Sequence, residues 1–197
     1  MRIGNVVGTG WKGKAVMKSL PLSVANPRTA GQVKQRSRFS TLVTLASILL
    51  AAVVKPLWDR FASGMSGYNA FISANQNAFN PDGSLNPYDL VISRGRMIAP
   101  ANIALSGSGG TANITLTNPV GDRFALPTDN IYVVLLDETM QVPIFAGMTS
   151  ATRGTGTTVT FTVDLKTGWE VSGIASYYAA YLRSDGSEVS NSFGAEA

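Results

Sequence analysis

The chain has no cysteine and no histidine among its 197 residues. It can therefore form no disulfide, no zinc site with thiolate or imidazole ligands, and no catalytic triad that uses imidazole as its base. Charged residues are also scarce, at 14% of the sequence, where roughly 25% is usual for a soluble domain. Because apolar residues still make up 45%, we interpret this balance as a folded protein whose surface is partly covered by other chains.

Acidic residues are missing from the start of the chain. Nine Lys and Arg precede the first carboxylate, that of Asp59, and the rest of the chain holds seven Lys and Arg against all twelve Asp and Glu. The overall charge of +4 is therefore made of a leading segment at +9 and a body at −5. A split of this size predicts a docking arm attached to a separate folded body. We expect a partner to complete the arm, because the arm cannot satisfy its own apolar and cationic groups.

A hydrophobic run long enough to span a membrane is also missing. The most apolar uncharged stretch, residues 39–54, has sixteen residues, and roughly 18–20 are needed to cross a bilayer. The start of the chain is interrupted by glycines and lacks the apolar block of a secretory signal. We therefore expect 39–54 to be a buried or interface helix, with a membrane-active helix as the alternative.

The order of patterns predicts an α+β protein, with an N-terminal extended arm and long helices followed by an antiparallel immunoglobulin-like β-sandwich. Glycines and prolines make residues 1–27 an extended, basic arm. Residues 28–79 form a helical region, and 80–87 are dense in turn formers and predict a linker. Residues 88–197 form the sandwich.

A helix is expected to begin near Thr29 and to continue to Val54. The Thr29 hydroxyl and the side chain of Gln32, three residues later, fit a capping box. The second half of the helix, residues 42–54, is apolar on every side and must be covered by protein or lipid. Pro56 then predicts a kink or a break.

Large apolar residues recur at alternating steps of three and four after Pro56, with Asn75 at one inner place before Phe79. This spacing predicts an a/d seam of three heptads, either in a helical hairpin within the chain or in a small helical bundle between subunits. Gly64 and Gly67 weaken such a helix by about 1 kcal/mol each relative to Ala. The residues of the predicted seam are Trp58, Phe61, Met65, Tyr68 and Ile72.

After the linker, the hydrophobic period becomes that of β-strands. Residues 114–117 and 159–163 alternate between apolar and polar, which predicts one buried and one wet face. Seven or eight short strands separated by turn formers are typical of an antiparallel sandwich. The predicted strands are Tyr88–Ser93, Met97–Leu105, Ala112–Thr117, Ile131–Asp137, Val142–Gly147, Thr157–Val163, Ala175–Arg183 and Glu188–Phe193.

A group of cationic and aromatic residues is the strongest candidate for a binding site. At helical spacing Lys34 and Arg38 share a face, and Arg36 points elsewhere. Docking onto protein is favoured. Nucleic acid, with Trp11 or Phe39 stacking on bases, is an alternative, as is a plain solvated face. The candidate docking residues are Trp11, Lys12, Lys14, Arg28, Lys34, Arg36 and Arg38.

Three patterns that could carry chemistry fit ordinary structure better. Oxygen side chains alternate over 80–86 as in calcium loops, but the twelfth position is Val91 rather than a bidentate Glu. Asp137 and Glu138 are sequence neighbours, whereas two catalytic carboxyls must converge on one substrate. The glycines of residues 4–10 resemble a phosphate loop only in number. The sequence therefore predicts no enzyme activity, no cofactor and no metal.

Short motifs spread over most of the chain form a recognisable signature. They are Trp-Lys-Gly-Lys at 11–14, Ser-Leu-Pro at 19–21, Asn-Pro-Arg-Thr at 26–29 with Gln32, Arg36 and Phe39, Val-Ile-Ser-Arg-Gly at 91–95, and Asp-Gly with Val-Ser-Asn-Ser at 185–192. In these motifs the chain resembles an uncharacterised domain family encoded by bacteriophages and prophages. The resemblance implies a phage-associated protein located in the virion, built of helices and a β-sandwich, and it implies no activity.

We therefore expect a structural protein of a phage particle, associated with the capsid, a vertex or the tail. It would dock through its basic arm and helices onto virion proteins or identical copies, as a homo-oligomer in the virion, and would present its sandwich. The alternatives are a nucleic-acid-associated capsid-lining or packaging protein and a membrane-associated virion protein. Carbohydrate binding by the sandwich would use its aromatic residues, Trp169, Tyr177, Tyr178 and Tyr181.

Overall fold

The computed structural model describes residues 2–3, 6–11, 13–19 and 28–197. The chain divides into two compact units, residues 1–33 and 34–197. Helices and antiparallel sheets both occur, so the predicted α+β class is confirmed.

The first unit contains an antiparallel sheet made of β1 (Arg2–Ile3), β2 (Val6–Trp11) and β3 (Lys14–Ser19), in that order. Gly13 turns the chain between β2 and β3 with a φ of +77°, a conformation that glycine adopts without steric cost. Apart from the half-buried Val7, every residue of β2 and β3 whose exposure is described is exposed. A hairpin without a buried face is marginally stable in water.

Helix α1 (Ala30–Ile48) begins where the sequence predicts. The backbone N–H of Gln32 donates to Thr29 Oγ1 at 3.4 Å, and the N–H of Thr29 donates to Gln32 Oε1 at 3.3 Å. This reciprocal pair is a capping box, so that prediction is confirmed.

The chain bends at Leu49, before Pro56. A π-helical turn (Leu50–Val54) follows α1 and leads into α2 (Lys55–Trp58), with a bend of 69° between the two helical segments. The Leu49 carbonyl oxygen accepts the N–H of Val54, five residues later, at 3.0 Å. This is one residue more than an α-helical turn contains. The bend predicted at the proline therefore lies upstream, at the π turn.

The predicted a/d seam does not form one continuous helix. Helix α2 ends at Trp58, residues 59–66 form turns and bends, and α3 spans Gly67–Asn75. The Ser66 side chain caps α3 by accepting a backbone N–H. Gly64 has a φ of +72°, a left-handed conformation that no helix interior contains. The interpretation as three continuous heptads is therefore wrong.

The second unit also contains seven strands: β4 (Asn102–Ser106), β5 (Thr111–Thr117), β6 (Asn130–Leu136), β7 (Pro143–Thr152), β8 (Thr158–Asp164), β9 (Ser176–Leu182) and β10 (Phe193–Glu196). They form a four-stranded antiparallel sheet in the order β10-β9-β6-β7 and a three-stranded one in the order β4-β5-β8. A short 3-10 helix, Val171–Gly173, precedes β9.

Three predicted strands are wrong in place or in kind. Residues Tyr88–Ser93 form turns and irregular structure. The strand predicted to begin at Met97 begins at Asn102, and the last strand is Phe193–Glu196 rather than Glu188–Phe193.

Leu90 and Ile92 explain the first of these errors. Both side chains are buried among the helices, which produces the alternation of a strand. The backbone N–H groups of Val91 and Ile92, however, donate to the side chains of Asn75 and Ser192. The alternating burial in this segment therefore results from packing against the helices rather than from pairing with another strand.

Strand β6 is buried on both faces. Its odd-numbered residues, 131–135, belong to an apolar cluster with the three-stranded sheet, including Ile114 and Phe161. Its even-numbered residues, 132–136, belong to a second cluster with the helices. The four-stranded sheet therefore has helices packed against one face and the smaller sheet against the other.

One side of the apolar part of the helical region packs against the chain's own sheet. Leu45, Leu49 and Val53 are fully buried in the cluster that contains Tyr178 of β9. The prediction of a buried helix is therefore confirmed for these residues. The prediction that 42–54 is covered on every side is wrong, because Ile48 is 46% exposed. Among the described residues, no single helix is long and apolar enough to cross a membrane, and α1 meets that condition only as a bent pair with Leu50–Trp58.

Candidate interaction surface

The hairpin β2–β3 gathers lysines on one face. Because side chains alternate along a strand, Lys14, Val16 and Lys18 of β3 share a face. Antiparallel pairing adds Val7, opposite Lys18, and Thr9, opposite Val16. This lysine face therefore has an apolar centre between two cations.

Two of the predicted docking residues are described less completely. Trp11 ends β2 and pairs in register with Lys14. Lys12 lies outside the described residues. The opposite face of the hairpin pairs Gly8 with Met17, whose side chain is 77% exposed.

The cations of α1 separate into two groups. Lys34 Nζ donates to the carbonyl oxygen of Pro81, and Arg38 Nη2 donates to that of Asn80 at 2.8 Å. The Arg38 guanidinium also lies 5.5 Å from the centroid of the Phe79 ring. These two predicted docking residues are therefore held against the chain's own linker.

The other side of α1 forms an open groove of about 490 Å³ with Arg36, Phe39 and Val43 in its lining. Phe39 is 57% exposed, and Arg28, just before the helix, is also exposed. The structure thus leaves Arg28 and this groove on the outer surface, whereas Lys34 and Arg38 contact the linker.

Four of the five predicted seam residues pack within their own chain. Trp58 is buried and stands edge-on to Phe71, with ring centroids 5.9 Å apart. Phe61, Tyr68 and Ile72 are partly buried against the helical cluster. Met65 is half exposed, at 50%. These contacts form part of the core. Phe71 is fully buried there, whereas the predicted Ile72 is only partly buried.

An acidic cleft lies at one end of the four-stranded sheet. It has a volume of about 490 Å³, two carboxylate side chains (Glu138 and Glu196) and apolar walls that include Leu85 and Met140. Among the residues that the structure describes, no Lys or Arg belongs to its lining. The Ser176 side chain, also in the lining, is fully buried.

Glu138 lies at this cleft because it belongs to the turn after β6. Asp137 accepts the N–H of Val142 at 3.1 Å and the hydroxyl of Thr139, which closes the turn after β6. Met140, in the same turn, has a φ of +53° and is buried. Asp137 therefore holds the turn, and its neighbour Glu138 lines the cleft, so the two carboxylates have different environments.

The alternating oxygen side chains of 80–86 are used within the linker. Asp82 accepts the N–H and the hydroxyl of Ser84, and Asn80 donates to the same hydroxyl. The hydrogen bonds of Ser84 lower the pKa of the Asp82 carboxyl. In the described part of the chain, no group of three or more Asp and Glu could hold a metal ion.

Arg153 and two aspartates form a buried charge cluster that sequence reasoning missed. Arg153 Nη1 lies 3.1 Å from Asp122 Oδ2 and 3.7 Å from Asp129 Oδ2, and the guanidinium lies 4.3 Å from the centroid of the Tyr181 ring. Burial raises the pKa of the Asp129 carboxyl, against the effect of the Leu126 N–H and of Arg153. Since Asp122 and Arg153 are 31 positions apart, no local pattern marks the cluster.

Two of the motifs in the signature lie against each other. The Ser93 hydroxyl donates to the Ser190 carbonyl oxygen at 2.9 Å, and the Gly95 N–H donates to Asn191 Oδ1 at 3.3 Å. A side chain at Gly95 would overlap the Val189 backbone. These motifs therefore have a structural use, since they join the segment before the sheets to the segment before β10.

The aromatic residues considered for carbohydrate binding form no exposed platform. Tyr178 and Tyr181 are fully buried, and Trp169 and Tyr177 are partly buried against the cluster between the sheets. Burial raises the pKa of both Tyr178 and Tyr181. Their burial fits the interpretation that these aromatic residues belong to the core.

Comparison with known proteins yields one family. A family profile described as "Family of unknown function (DUF6266)" matches residues 1–194 of the chain. No curated protein matches the chain.

Proposed function

We infer the function of this chain, which belongs to the DUF6266 family, from its own residues, because that family is described as one of unknown function. We propose a structural protein of a phage particle that docks through its basic N-terminal hairpin and the exposed first half of α1. It associates with virion proteins or identical copies and resides in the virion, without an enzymatic role. The resemblance of its motifs supports the phage setting, and charge and exposure support the docking.

One observation carries the docking proposal. Residues 1–33 contain five Lys and Arg and no acid, form a compact unit by themselves, and expose nearly every described strand residue. A unit of this size buries too little apolar surface to be stable alone. An acidic protein surface would both cover the hairpin and balance its charge.

Protein is favoured over nucleic acid as the partner. Affinity for nucleic acid depends on the number of cations that reach phosphates. Lys34 and Arg38, two of the four cations from Arg28 to Arg38, donate to backbone carbonyls of the linker. A membrane role for residues 39–54 has little support, because Leu42, Leu45 and Leu49 are buried against the chain's own sheet.

We also propose that the two sheets of the second unit form an immunoglobulin-like sandwich. Counted along the chain from β4, the first, second and fifth strands share one sheet, and the seventh, sixth, third and fourth share the other. Immunoglobulin-type domains have A, B, E and D in one sheet and C, F and G in the other. The present division matches this for six strands, and the fourth strand joins the sheet of C, F and G, as C′ does in variable-type domains. The apolar cluster shared by β5, β6, β8 and β9 supports face-to-face packing. An experimental structure in which these sheets do not face each other would overturn this assignment.

Sedimentation velocity on the full chain at low micromolar concentration tests the docking function. We expect oligomers that weaken as salt is raised, because exposed charges are screened within about 8 Å at physiological ionic strength. Reversing the charge of Lys14 and Lys18 should weaken association, whereas reversing Lys55 and Lys166, exposed cations of the second unit, should not.

Two further experiments test whether the protein resides in phage particles and whether it binds nucleic acid. Mass spectrometry of purified phage particles from a host that encodes the chain should find it in constant proportion to the capsid protein. A compact monomer that is absent from particles would contradict the proposed function. Retention on DNA that falls steeply with salt and is lost when Arg28 and Arg36 are reversed would favour the packaging alternative.

A further inference from the structure

We propose that strand β8 is a site of self-association, at which β8 of a second copy of this chain pairs with it in antiparallel register. Two three-stranded sheets then join into one continuous sheet. The residues that carry this inference lie outside the hairpin and α1, so it goes beyond the docking function above. It rests on the unpaired edge of β8 and on the order of the side chains along that strand.

The outer edge of β8 has unpaired backbone groups. The strand lies at an edge, since the sheet order is β4-β5-β8. The N–H of Leu165 donates to Gly110 and the N–H of Asn118 donates to Thr157, so the odd-numbered residues of β8 direct their backbone groups towards β5. No hydrogen bond among the described residues uses the remaining groups. Those groups belong to the even-numbered residues, Thr158, Thr160, Thr162 and Asp164.

The other edges of the two sheets are better protected. At β4, the Ile103 N–H is taken by the side chain of Asn102 at 2.9 Å. Strand β7 begins with Pro143, and its Ile144 carbonyl oxygen accepts the Lys166 N–H. Strand β10 has only four residues. Prolines, lysines and short length normally keep edge strands from pairing with other chains, whereas β8 has seven residues with neither proline nor lysine.

A second copy fits this edge because the side chains of β8 follow nearly the same order in both directions. Threonines and apolar residues alternate on either side of Phe161. In antiparallel pairing about a two-fold axis at Phe161, Thr160 faces Thr162 of the partner subunit. This register pairs every outward-facing residue and allows about eight backbone hydrogen bonds, two for each pair. It also places Asp164 opposite Thr158 of the partner subunit, so that no like charges face each other.

The same register joins the apolar sides of the two strands. Phe161 and Val163 are buried in the cluster between the sheets, and Val159 is partly buried against it. In the proposed pair, Val159 faces Val163 of the partner subunit, and the two copies of Phe161 face each other. Aromatic and β-branched cross-strand pairs stabilise antiparallel sheets. A lysine-bearing strand such as β3 fits less well, because β8 offers one carboxylate, that of Asp164, at its end.

Charges on facing residues test the register in the full chain. Thr160→Lys/Thr162→Lys sets lysine opposite lysine and should weaken dimerisation about tenfold or more, as measured by sedimentation velocity. Thr160→Lys/Thr162→Glu sets lysine opposite glutamate and should dimerise as the wild type does. Both residues are exposed, so both variants should keep the wild-type urea midpoint. Ala104→Lys/Ser106→Lys adds equal charge to exposed residues of β4 and should leave dimerisation unchanged.

Disulfide trapping tests the same contact directly, because the chain has no cysteine of its own. In the proposed register, the Cα atom of Thr160 lies about 5.5 Å from that of Thr162 of the partner subunit, which is within the range of a disulfide. The two copies of Thr160 are diagonal neighbours, about 7–8 Å apart. A mixture of the Thr160→Cys and Thr162→Cys chains should therefore cross-link under oxidation far more than either variant alone.

Three results would overturn the inference: a monomeric wild-type chain, equal dimerisation of the two charge variants, or equal trapping in the mixture and in the single variants. Lys14→Glu/Lys18→Glu separates the inference from the docking function, since this variant should lose larger oligomers but keep the β8 pair. If it loses all association and nothing is trapped at β8, self-association belongs to the hairpin alone. The docking function then stands, and the β8 inference does not.

Discussion

Trp58 Nε1 donates a hydrogen bond of 2.7 Å to the carbonyl oxygen of Ile92, and both residues are buried. The indole also packs edge-on against Phe71 of α3. One side chain thus connects the end of α2, the helix α3 and the segment that leads into the sheets. Trp58, predicted for a seam that could join subunits, is a core residue of its own chain.

Removing the indole donor should destabilise the fold. Trp58→Phe keeps an aromatic ring but leaves the buried Ile92 carbonyl without its partner, which costs about 1–3 kcal/mol in the free energy of unfolding. Urea unfolding at pH 7 measures the loss. Trp169→Phe is the matched control, because Trp169 is only partly buried and its indole makes no hydrogen bond among the described residues. Equal losses in the two variants, or a change in oligomer size with no loss of stability, would contradict the core assignment.

Breaking the buried charge cluster should cost far more than breaking a surface pair. Arg153→Met leaves Asp122 and Asp129 buried without their cation, and removing one partner of a buried pair typically costs about 3–5 kcal/mol. Arg96→Met breaks the pair with Glu188, in which the Arg96 side chain is 67% exposed, and should cost about 1 kcal/mol or less. Thermal or urea unfolding of both variants gives the comparison. Similar losses would mean that the Arg153 cluster is hydrated.

Stability should fall at alkaline pH because of Tyr181. Its hydroxyl donates to Asn118 Oδ1 at 2.7 Å, and burial raises its pKa from 10.0 to about 12. The folded state therefore keeps a proton that the unfolded state loses, so this contribution is complete below pH 10 and is lost as the pH rises towards 12. One such group changes the free energy of unfolding by up to about 1.4 kcal/mol per pH unit.

Tyr181→Phe isolates that contribution. The variant should be less stable than the wild type at pH 8, since Asn118 loses its donor, but the difference should shrink between pH 10 and pH 11. Urea midpoints at these three values measure the change. A constant difference across the range would show that Tyr181 does not titrate as its burial indicates.

Gly95 should not tolerate a side chain. A Cβ at this position would overlap the Val189 carbonyl, and forced overpacking typically costs about 1–3 kcal/mol. Gly95→Ala should therefore lower the urea midpoint. Gly110→Ala is the matched control, because no atom lies within 4 Å of its Cβ position, and it should be neutral or slightly stabilising. If both variants unfold alike, the close approach at Val189 is not rigid.

The features that could be predicted from the sequence were those that depend on residues close together in the chain. The capping box at Thr29 and Gln32 formed as expected, because it depends on residues three positions apart. The alternating segments at 114–117 and 159–163 lie in β5 and β8, since a strand with one wet face records its burial in a period of two. The heptad spacing after Trp58 failed, because Gly64 and the turns around it interrupt the helix.

The candidate site was predicted in part. The cations of the arm and of α1 were identified from the charge split, but the contacts of Lys34 and Arg38 depend on where the linker lies. Glu138 was set aside as a turn residue, and Ser176 carried no local signal, because the cleft is formed by segments from the linker to β10. The continuous apolar run of β6 was the one available sign that both faces of the sheet are covered.

The sequence by itself determined the local elements of this protein: where α1 begins, which segments alternate as half-buried strands, and the concentration of positive charge in the first 58 residues. Only the tertiary structure decided that Leu42, Leu45, Leu49 and Val53 are buried in a cluster with β6 and β9 of the same chain, and that Glu138, Glu196 and Ser176 share one cleft. The physical reason is that hydrogen bonds within a helix or turn join near neighbours, whereas burial and charge pairing depend on which distant segments the fold brings together.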